Sequence, residues 1–384
     1  MSVTSASSFL PLWDRAAEWQ RRLDMIHEAT SFLYLSTYYV EYDSYGIELV
    51  GALLAAQRRG VAVNLLIDGF GQALGGVLMS TGSKAALDAQ LKALAAAGAT
   101  VTVYRPGGYL QRVLGGGQHV KIQVSEAGEA IFGSSNITRM SFEGWNEYSV
   151  SLRGPVVPEL LESYRQIGGS VAESHLRTLQ VADDVAADLG LDYWLCNPNT
   201  LQGRFGPIGW RGPNAVSDRM IEMVDAARRS VWITSFYFKP VEPLLAAVLA
   251  AARRGVLVEV HHSHRDALPA TDLAWIAAAA NYDRLLQAGV QVYENRHGEH
   301  SKIMLVDEEW VAFGSYNFEE AAHDRLAEAM LSSRDRRAVD PASSIFEELR
   351  RHPDNALVTP QSLGHLPSRL KVKRAMLGRF KRWM

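Results

Sequence analysis

Two stretches of the sequence carry the same chemically active side chains at the same spacing. The first reads QHVKIQVSEAGEAIFGSSNIT (118–138) and the second reads EHSKIMLVDEEWVAFGSYNFEE (299–320). Aligned without a gap, they pair His119 with His300, Lys121 with Lys302, Glu126 with Asp307, Ser134 with Ser315, and Asn136 with Asn317. A chance match at every step is improbable, so we predict that the two stretches work together.

The chemistry of these side chains suits a phosphate diester. Residues i and i+2 of a strand point to the same face, so each histidine shares a face with its lysine. Two ammonium groups and backbone N–H donors can neutralise the non-bridging oxygens of a phosphate. One imidazole can attack phosphorus while the other protonates the leaving oxygen. We expect the serine and asparagine of each glycine–serine turn to bind the substrate in the same pocket.

The elements that must position these motifs are also repeated. The first series is a predicted strand, helix and strand at SFLYLSTYYV (31–40), GIELVGALLAAQRRG (46–60) and VAVNLLID (61–68). The second series is SVWITSFYF (230–238), PLLAAVLAAARRG (243–255) and VLVEVHH (256–262). A further helix and strand follow in each half, at 85–104 and 273–294. Strand–helix–strand units imply parallel pairing through right-handed crossovers, so we predict a duplicated α/β fold.

Length and composition agree with two globular halves. The chain has 384 residues, of which 47% are hydrophobic and 21% charged. We predict a first half at 1–170, a glycine- and proline-rich linker at 171–212, a second half at 213–352 and a basic tail at 353–384. The formal net charge of −3 gives no argument for nucleic acid as a partner. The single cysteine, Cys196, allows no internal disulfide and favours a reducing compartment.

The repeated pattern resembles the signature of the phospholipase D superfamily, HxKxxxxD followed by GSxxN or GSxN, twice per active site. The resemblance covers about residues 20 to 350, and within the superfamily the sequence is most similar to bacterial cardiolipin synthases. It implies two α/β/α sandwich repeats with mixed sheets, related by a pseudo-two-fold axis around one shared site. It also implies a phosphohistidine intermediate, with no metal or other cofactor. The catalytic set implied by the resemblance is His119, Lys121, Glu126, His300, Lys302 and Asp307.

Two further acids enter through the same resemblance. Glu147, in the stretch GWNEYSVSLRGPVVPELLESY (144–164), takes a recurring acidic position of the family, and Glu328 is its expected counterpart. We expect both to contribute to substrate binding. The sequence departs from the family at Glu126, where aspartate is usual, and at Val120, where arginine is common. In the family this acid orients the neighbouring histidine or the glycine–serine turn, and glutamate has one methylene more of reach for that role.

A histidine cluster follows one predicted strand. His261, His262 and His264 with Asp266 are open to three interpretations, namely a metal site, the rim of the substrate pocket or an ordinary loop. Neighbouring strand residues face opposite sides of a sheet, so the spacing is poor for one metal ion.

Two glycine-rich stretches flank the first half of the predicted site. The stretch 69–84 lacks the GxxxxGK[ST] order of a phosphate loop, and we interpret it as a mobile flap with Leu74, Val77, Leu78 and Met79 near the mouth. The stretch 107–117 is interpreted in the same way. Either stretch could admit an acyl chain or simply connect its neighbours.

The end of the chain is basic. Residues 367–384 contain seven lysines and arginines, and Leu370, Leu377, Phe380 and Met384 fall on one helical stripe. This pattern predicts an amphipathic helix that binds an anionic membrane surface. The alternative is a helix docked on the body of the protein.

Three functions follow from these observations. The first is a phosphatidyl transferase that uses a phospholipid substrate, as in cardiolipin synthesis from phosphatidylglycerol. The second is a phosphodiesterase or nuclease on the same fold, which the net charge disfavours. The third is a non-catalytic lipid-binding protein, which the intact histidines and lysines disfavour. We find no signal peptide and no apolar run of about 18 residues, so we expect a cytoplasmic enzyme at the inner face of the cell membrane.

Overall fold

The computed structural model describes residues 2–181, 186–201, 205–206, 209–268 and 272–377. Its strands are β1 (Ser2–Ala6), β2 (Ser8–Leu12), β3 (Phe32–Thr37), β4 (Ala62–Asp68), β5 (Thr100–Tyr104), β6 (Gly117–Gln118), β7 (Lys121–Ser125), β8 (Glu129–Gly133), β9 (Ser149–Arg153), β10 (Leu189–Cys196), β11 (Phe205–Gly206), β12 (Gly209–Trp210), β13 (Ser230–Ser235), β14 (Leu257–Ser263), β15 (Gln291–Asn295), β16 (Ile303–Val306), β17 (Trp310–Gly314), β18 (Leu326–Ser333) and β19 (Asn355–Leu357).

The helices of the described residues cover both faces of the sheets. They are α1 (Arg15–Glu28), α2 (Ser44–Arg58), α3 (Gly69–Gly75), α4 (Thr81–Ala96), α5 (Tyr109–Val113), α6 (Val156–Gln166), α7 (Glu173–Val181), α8 (Ala215–Ala226), α9 (Glu242–Arg253), α10 (Leu273–Ala279), α11 (Tyr282–Gln287), α12 (Glu320–Asp324), α13 (Arg336–Arg351), α14 (Pro360–Gly364) and α15 (Ser368–Leu377). Short 3-10 turns lie at Gly76–Leu78 and Arg265–Ala267, and a π-helical turn lies at Met140–Gly144.

The chain builds two mixed sheets, and seven neighbouring strands follow the same order in both. The first sheet runs β2-β9-β8-β7-β3-β4-β5, and the second runs β1-β10-β18-β17-β16-β13-β14-β15-β19. In both, three neighbouring strands are parallel, β3-β4-β5 and β13-β14-β15, and their other partners are antiparallel. The predicted duplication and the predicted strand–helix–strand units are therefore confirmed.

The two parallel crossovers end in the same way. Helices α2 and α9 are each followed by an Arg-Arg-Gly run, and Gly60 and Gly255 have φ angles of 97° and 90°. Glycine adopts this left-handed conformation without a steric penalty, so it ends the helix and directs the chain into the next strand. Strands β3 and β13 are buried along their whole length, as expected for parallel strands covered on both faces.

The halves meet through a shared apolar core. Phe132 in β8 and Phe313 in β17 occupy the same motif position, just before the glycine–serine turn, and their ring centroids lie 6.5 Å apart. Tyr148 packs edge-on against Phe313 at 5.4 Å. Contact between equivalent residues is what a pseudo-two-fold axis at this interface requires, and it holds both motifs at one end of the two sheets.

The segment predicted as a linker contains regular structure. Helix α7 and strand β10 lie inside 171–212, and β10 pairs antiparallel with β1 and β18 in the second sheet. The linker prediction is wrong over these elements, because the glycine and proline density outweighed the buried residues Leu189, Leu191 and Tyr193. The same pairing places the first strand of the chain in the second half, so the predicted boundary at 1–170 is wrong there as well.

The two predicted flaps are helical. Stretch 69–84 forms α3, a 3-10 turn and the start of α4, and Asp68 caps α3 by accepting from the Gly71 N–H at 2.7 Å. Stretch 107–117 contains α5. The sequence analysis interpreted both stretches as flaps because their glycines are unfavourable in helices.

The tail is docked along the described part. Strand β19 extends the second sheet beside β15, so residues 355–357 belong to that half. In α15, Leu370 is 3% exposed, Lys373 approaches Asp272 at 3.4 Å, and Arg374 pairs with Asp283. The docked-helix alternative therefore holds for Ser368–Leu377, and the predicted membrane stripe is wrong at Leu370. Phe380 and Met384 lie outside the described residues. In the described ranges, we find no helix with the length and apolarity needed to cross a bilayer.

Candidate active site

The two HxK motifs lie at the carboxyl ends of the parallel strands. Strand β7 runs antiparallel to β3, and its first residues pair with the last residues of β3, Ser36 facing Ile122. Strand β16 has the same relation to β13. This edge is where open α/β sheets place their ligands, because the loops that follow the parallel strands diverge there.

The halves exchange backbone hydrogen bonds at this edge. The His119 N–H donates to the Ala327 carbonyl at 2.8 Å, next to the parallel pairing of β6 with β18. In the other direction, the His300 N–H donates to the Asn146 carbonyl at 2.8 Å. Each histidine segment is therefore aligned with the segment of the opposite half that carries the recurring acid.

Each histidine lies beside the acid of the other half. Only His300 hydrogen-bonds to its acid, because Nδ1 of His119 is hydrogen-bonded to the Ser315 carbonyl at 3.1 Å. Nδ1 of His119 lies 3.0 Å from Oε1 of Glu328, and Nδ1 of His300 lies 2.8 Å from Oε2 of Glu147. With Nδ1 engaged, Nε2 is the nitrogen left to react with a substrate. The predicted single site shared by the two halves is thus present as a geometric arrangement.

The serines of the two turns hold these acids. Ser134 Oγ donates to Glu147, and Ser315 Oγ donates to Glu328. We predicted that both serines and both acids would bind the substrate. The structure corrects this placement, because all four side chains bond to one another or to a histidine behind the reacting face.

The lysines are buried beside their histidines. Lys121 Nζ donates to the His119 carbonyl at 2.6 Å, and Lys302 Nζ donates to the His300 carbonyl and lies 2.9 Å from Nδ1 of the same histidine. Each side chain is 1% exposed. Burial lowers the pKa of Lys302 to about 8, against the attraction of Glu147 and Glu328. The positive charge of Lys302 beside His300 therefore depends on pH.

The two histidine–carboxylate pairs differ electrostatically. Burial lowers the pKa of His300 to about 4, although Glu147 pulls in the opposite direction, and burial lowers the pKa of His119 well below its ordinary value. Burial alone would raise the pKa of Glu147, but His300 and Lys302 outweigh it and leave that pKa at about 2. In Glu328, burial wins and raises the pKa despite Lys121. Neutral imidazoles are the nucleophilic form, and an incoming anionic diester would raise the pKa of both histidines again.

A cavity of about 380 Å³ opens above the two histidines. The side-chain amides of Asn136 and Asn317 line it, and the buried Oδ1 of each has no hydrogen-bond partner among the described residues. A polar group buried without a partner is costly, so these amide oxygens are available to accept a hydrogen bond from a ligand. A larger cavity of about 780 Å³, against Cys196 and Asp218, contains none of the motif residues, so we place the site in the smaller one.

A family model described as "Cardiolipin synthase, PLD-like domain" matches residues 23–167 and again residues 220–350. The chain belongs to this family. It is an enzyme of the phospholipase D superfamily, and the two matched ranges correspond to the two sheets that meet at the cavity.

Individual relatives agree with the family match. Cardiolipin synthase B of Escherichia coli strain K12 is 29% identical over 329 residues, which covers 81% of this chain and 72% of the relative. A cardiolipin synthase of Geobacillus kaustophilus is 27% identical, covering 77% and 56% of the two chains. Among solved structures, the phosphatidylserine synthase of Haemophilus influenzae Rd KW20 superposes with a TM-score of 0.72 over 99% of this chain and 96% of that one, at 13% identity. That likeness shows the same fold.

The last acid of each phospholipase D motif lies away from the cavity. Glu126 accepts from the Thr30 hydroxyl at 2.9 Å and from the Ser31 N–H at 3.2 Å, where β3 begins. Asp307 accepts from the Arg229 and Ser230 N–H groups at 2.7 and 2.8 Å, where β13 begins. Each acid is five residues beyond its lysine, about 16 Å along a strand. The expectation that they act in the catalytic set or orient a histidine is therefore corrected, since they cap strands at the opposite edge.

The histidine cluster does not converge on one point. His261 bonds to Asn355 at 2.8 Å, and His262 bonds to the Tyr282 hydroxyl at 2.7 Å. His264 faces its own loop, with Nδ1 3.2 Å from the Asp266 carboxylate. Among the described residues, no three potential ligands are grouped to hold a metal ion. Of the three interpretations, the placement favours structural histidines in a strand and its loop.

Several cavity residues were missed by the sequence analysis. Trp145 stacks on His300 with ring centroids 5.0 Å apart, Phe236 meets the same ring edge-on at 4.8 Å, and Tyr38 meets His119 edge-on at 4.6 Å. Tyr38 and Phe236 are equivalent residues directly after β3 and β13, a position where ligand contacts are expected. Lys239 also lines the cavity, close to Glu319 at 3.3 Å.

Proposed function

We propose that the protein transfers a phosphatidyl group between two phosphatidylglycerol molecules, yielding cardiolipin and glycerol. The observation that carries the proposal is the crossed arrangement of His119–Glu328 and His300–Glu147 over one cavity. Two histidines held at Nδ1 present two Nε2 atoms to the same diester, which is what a double displacement at phosphorus needs.

The reaction has two balanced steps. Nε2 of one histidine attacks phosphorus and forms a P–N bond, while the P–O bond to glycerol breaks and the other histidine gives its proton to the leaving oxygen. The acceptor hydroxyl of the second lipid then returns a proton to that histidine and attacks phosphorus, which breaks the P–N bond. Lys121 and Lys302 are the cations that would balance the charge on the non-bridging oxygens.

An apolar groove beside the cavity supports a lipid substrate. The groove has a volume of about 210 Å³, and Leu74, Val77, Leu78 and Leu268 line it. It shares Trp145 and Phe236 with the cavity, so an acyl chain in the groove would leave its phosphate near the histidines. A transferase must also exclude water from the intermediate, and apolar walls serve that purpose.

The relatives named above support the same substrate class. Two of them are named as cardiolipin synthases, and they match this chain over most of its length. We further propose that the enzyme acts from the cytoplasmic side, at the inner face of the cell membrane.

A product assay tests the proposal. Purified protein is incubated with phosphatidylglycerol vesicles, and we expect cardiolipin and free glycerol, with phosphatidic acid a minor product. His119→Ala and His300→Ala are the matched inactive variants. Phosphatidic acid alone would make the enzyme a hydrolase, and cleavage of single-stranded nucleic acid without lipid turnover would make it a nuclease. Vesicle binding with no turnover would identify a lipid-binding protein.

A further inference from the structure

Exposed apolar side chains are concentrated on one face of the first half. Seven large apolar residues in α3, in the turn after it and in α5 are between 42% and 72% exposed. We call this set the apolar rim, and its members are Phe70, Leu74, Val77, Leu78, Tyr109, Leu110 and Val113. Contiguous exposed apolar surface on a folded protein marks a site of interaction with another protein, a ligand or a membrane.

The rim is continuous with the active-site cavity. Phe70 and Leu74 line the cavity, and Leu74 also lines the apolar groove with Val77 and Leu78. The loop after α5 packs on α3, since a methyl group placed on Gly115 would lie 3.0 Å from the Phe70 ring. Apolar side chains of α3 therefore extend from the exposed surface of the molecule into the cavity that contains the histidines.

The charges within the two segments that carry the rim are of one sign. The segments 69–84 and 105–117, which contain the rim, include no aspartate or glutamate. They do include Lys84, Arg105 and Arg112, all of which are exposed. Cations beside an apolar surface suit a layer of anionic headgroups over acyl chains. The cations would contact the headgroups, and the apolar side chains would contact the acyl chains.

We propose that the apolar rim docks the protein on the surface of an anionic phospholipid bilayer, with α3 and α5 in the headgroup region and the cavity opening toward the lipid. The proposal rests on the lipid substrate of the proposed function and names the surface that delivers it. It moves the membrane contact away from α15, whose Leu370 packs on the protein body.

The first experiment compares vesicle binding with turnover of a soluble substrate. The variant is Tyr109→Ser, Leu110→Ser and Val113→Ser together, because none of these side chains lines the cavity or the groove. The matched controls are Val3→Ser and Leu357→Ser, which also remove exposed apolar side chains. Binding to phosphatidylglycerol vesicles is measured by sedimentation, and turnover is measured on vesicles and on a monomeric short-chain phosphatidylglycerol.

We expect the triple variant to bind vesicles at least about tenfold more weakly, with turnover on vesicles falling in parallel. Turnover of the monomeric substrate and the thermal midpoint should stay at the wild-type level, and both controls should behave as wild type. Vesicle binding equal to wild type would overturn the proposal. If vesicle binding depends on the rim but the protein makes no cardiolipin, the docking surface is supported and only the proposed function is contradicted.

A second measurement does not depend on removing side chains. Leu110→Cys is labelled with an environment-sensitive fluorophore, Val3→Cys is the control, and the native Cys196 is buried. We expect a blue shift at position 110 on phosphatidylglycerol vesicles, a smaller shift on phosphatidylcholine vesicles and none at position 3. No shift at position 110 would overturn the proposal. A blue shift that is already present without lipid would also overturn it. If that shift disappears on dilution, a second copy of the protein covers the rim, and if it disappears on deletion of 378–384, that segment covers it.

Discussion

His119 and Glu328 come from opposite halves of the chain, and Nδ1 of the histidine lies 3.0 Å from Oε1 of the glutamate. The equivalent pair, His300 and Glu147, is crossed in the same way at 2.8 Å. Neither half therefore contains a histidine together with the acid that orients it. Duplication of one unit has produced a site that is complete only when both units are docked.

The crossed pairs predict the effect of neutralising each acid. Glu147→Gln should impair His300, and Glu328→Gln should impair His119, because a neutral amide cannot stabilise a protonated imidazole as a neighbouring carboxylate does. We expect each substitution to lower kcat on a soluble diester by about 10²- to 10⁴-fold, with a smaller change in KM. The measurement is steady-state kinetics of the purified variants.

A double-mutant cycle checks that the coupling is crossed. His300→Ala combined with Glu147→Gln should be no worse than His300→Ala alone, since both changes disable one unit. Exposed Glu173→Gln serves as the control and should match wild type. Additive losses for Glu147 and His300, or coupling of Glu147 to His119 instead, would contradict the arrangement.

The acids at the far ends of the motifs should matter for stability and not for chemistry. Glu126→Ala and Asp307→Ala each leave the N–H groups at the start of a parallel strand without their acceptor, at a cost of about 1–2 kcal/mol. Asp307 should be the more costly, because its φ of 55° is unfavourable for alanine. Denaturant unfolding measures the loss, while kcat should remain within about twofold of wild type. A large fall in kcat with unchanged stability would show that these acids take part in catalysis.

The buried lysines predict an alkaline limit to activity. Burial lowers the pKa of Lys302 to about 8, so its ammonium group is present below that pH and is lost as the pH rises through it. Because the ammonium group is needed for the anionic diester, kcat/KM should fall above about pH 8, earlier than an ordinary lysine allows. The profile is recorded with a soluble diester, and circular dichroism at pH 9.5 confirms that the fold persists. A level profile up to pH 10 would be inconsistent with this assignment.

Removal of metal ions should leave the reaction unchanged. In the proposed mechanism the charge on the phosphate is opposed by Lys121 and Lys302, and the histidines at 261, 262 and 264 each have separate partners. We expect a chelator to have no effect on turnover of a soluble diester, measured before and after dialysis. If the chelator abolishes activity and zinc restores it, the enzyme requires a metal ion, and the loop after β14 becomes the candidate site.

Much of the fold could be predicted because it depends on sequence patterns among residues close together in the chain. Strands β3 and β4, helix α2 and their copies follow from runs of β-branched residues, a helical stretch and an Arg-Arg-Gly end. The spacing of His119 and Lys121 predicts that both lie on one face of a strand. In the structure β7 begins at Lys121, and His119 lies two residues before it and lines the cavity. Patterns failed where glycine masked them, as in α3 and β10, because a glycine-rich segment can be a helix once its neighbours cap and bury it.

The sequence by itself determined the duplication, the parallel crossovers and the two histidine–lysine pairs, because these depend on residues close together in the chain. Only the tertiary structure decided which acid meets which histidine. Glu147 and Glu328 stand at equivalent positions in two similar halves, so no local spacing distinguishes a pairing within a half from a crossed one. The choice is made by hydrogen bonds between segments more than 150 residues apart, such as that from the His119 N–H to the Ala327 carbonyl, which form only when the two sheets dock.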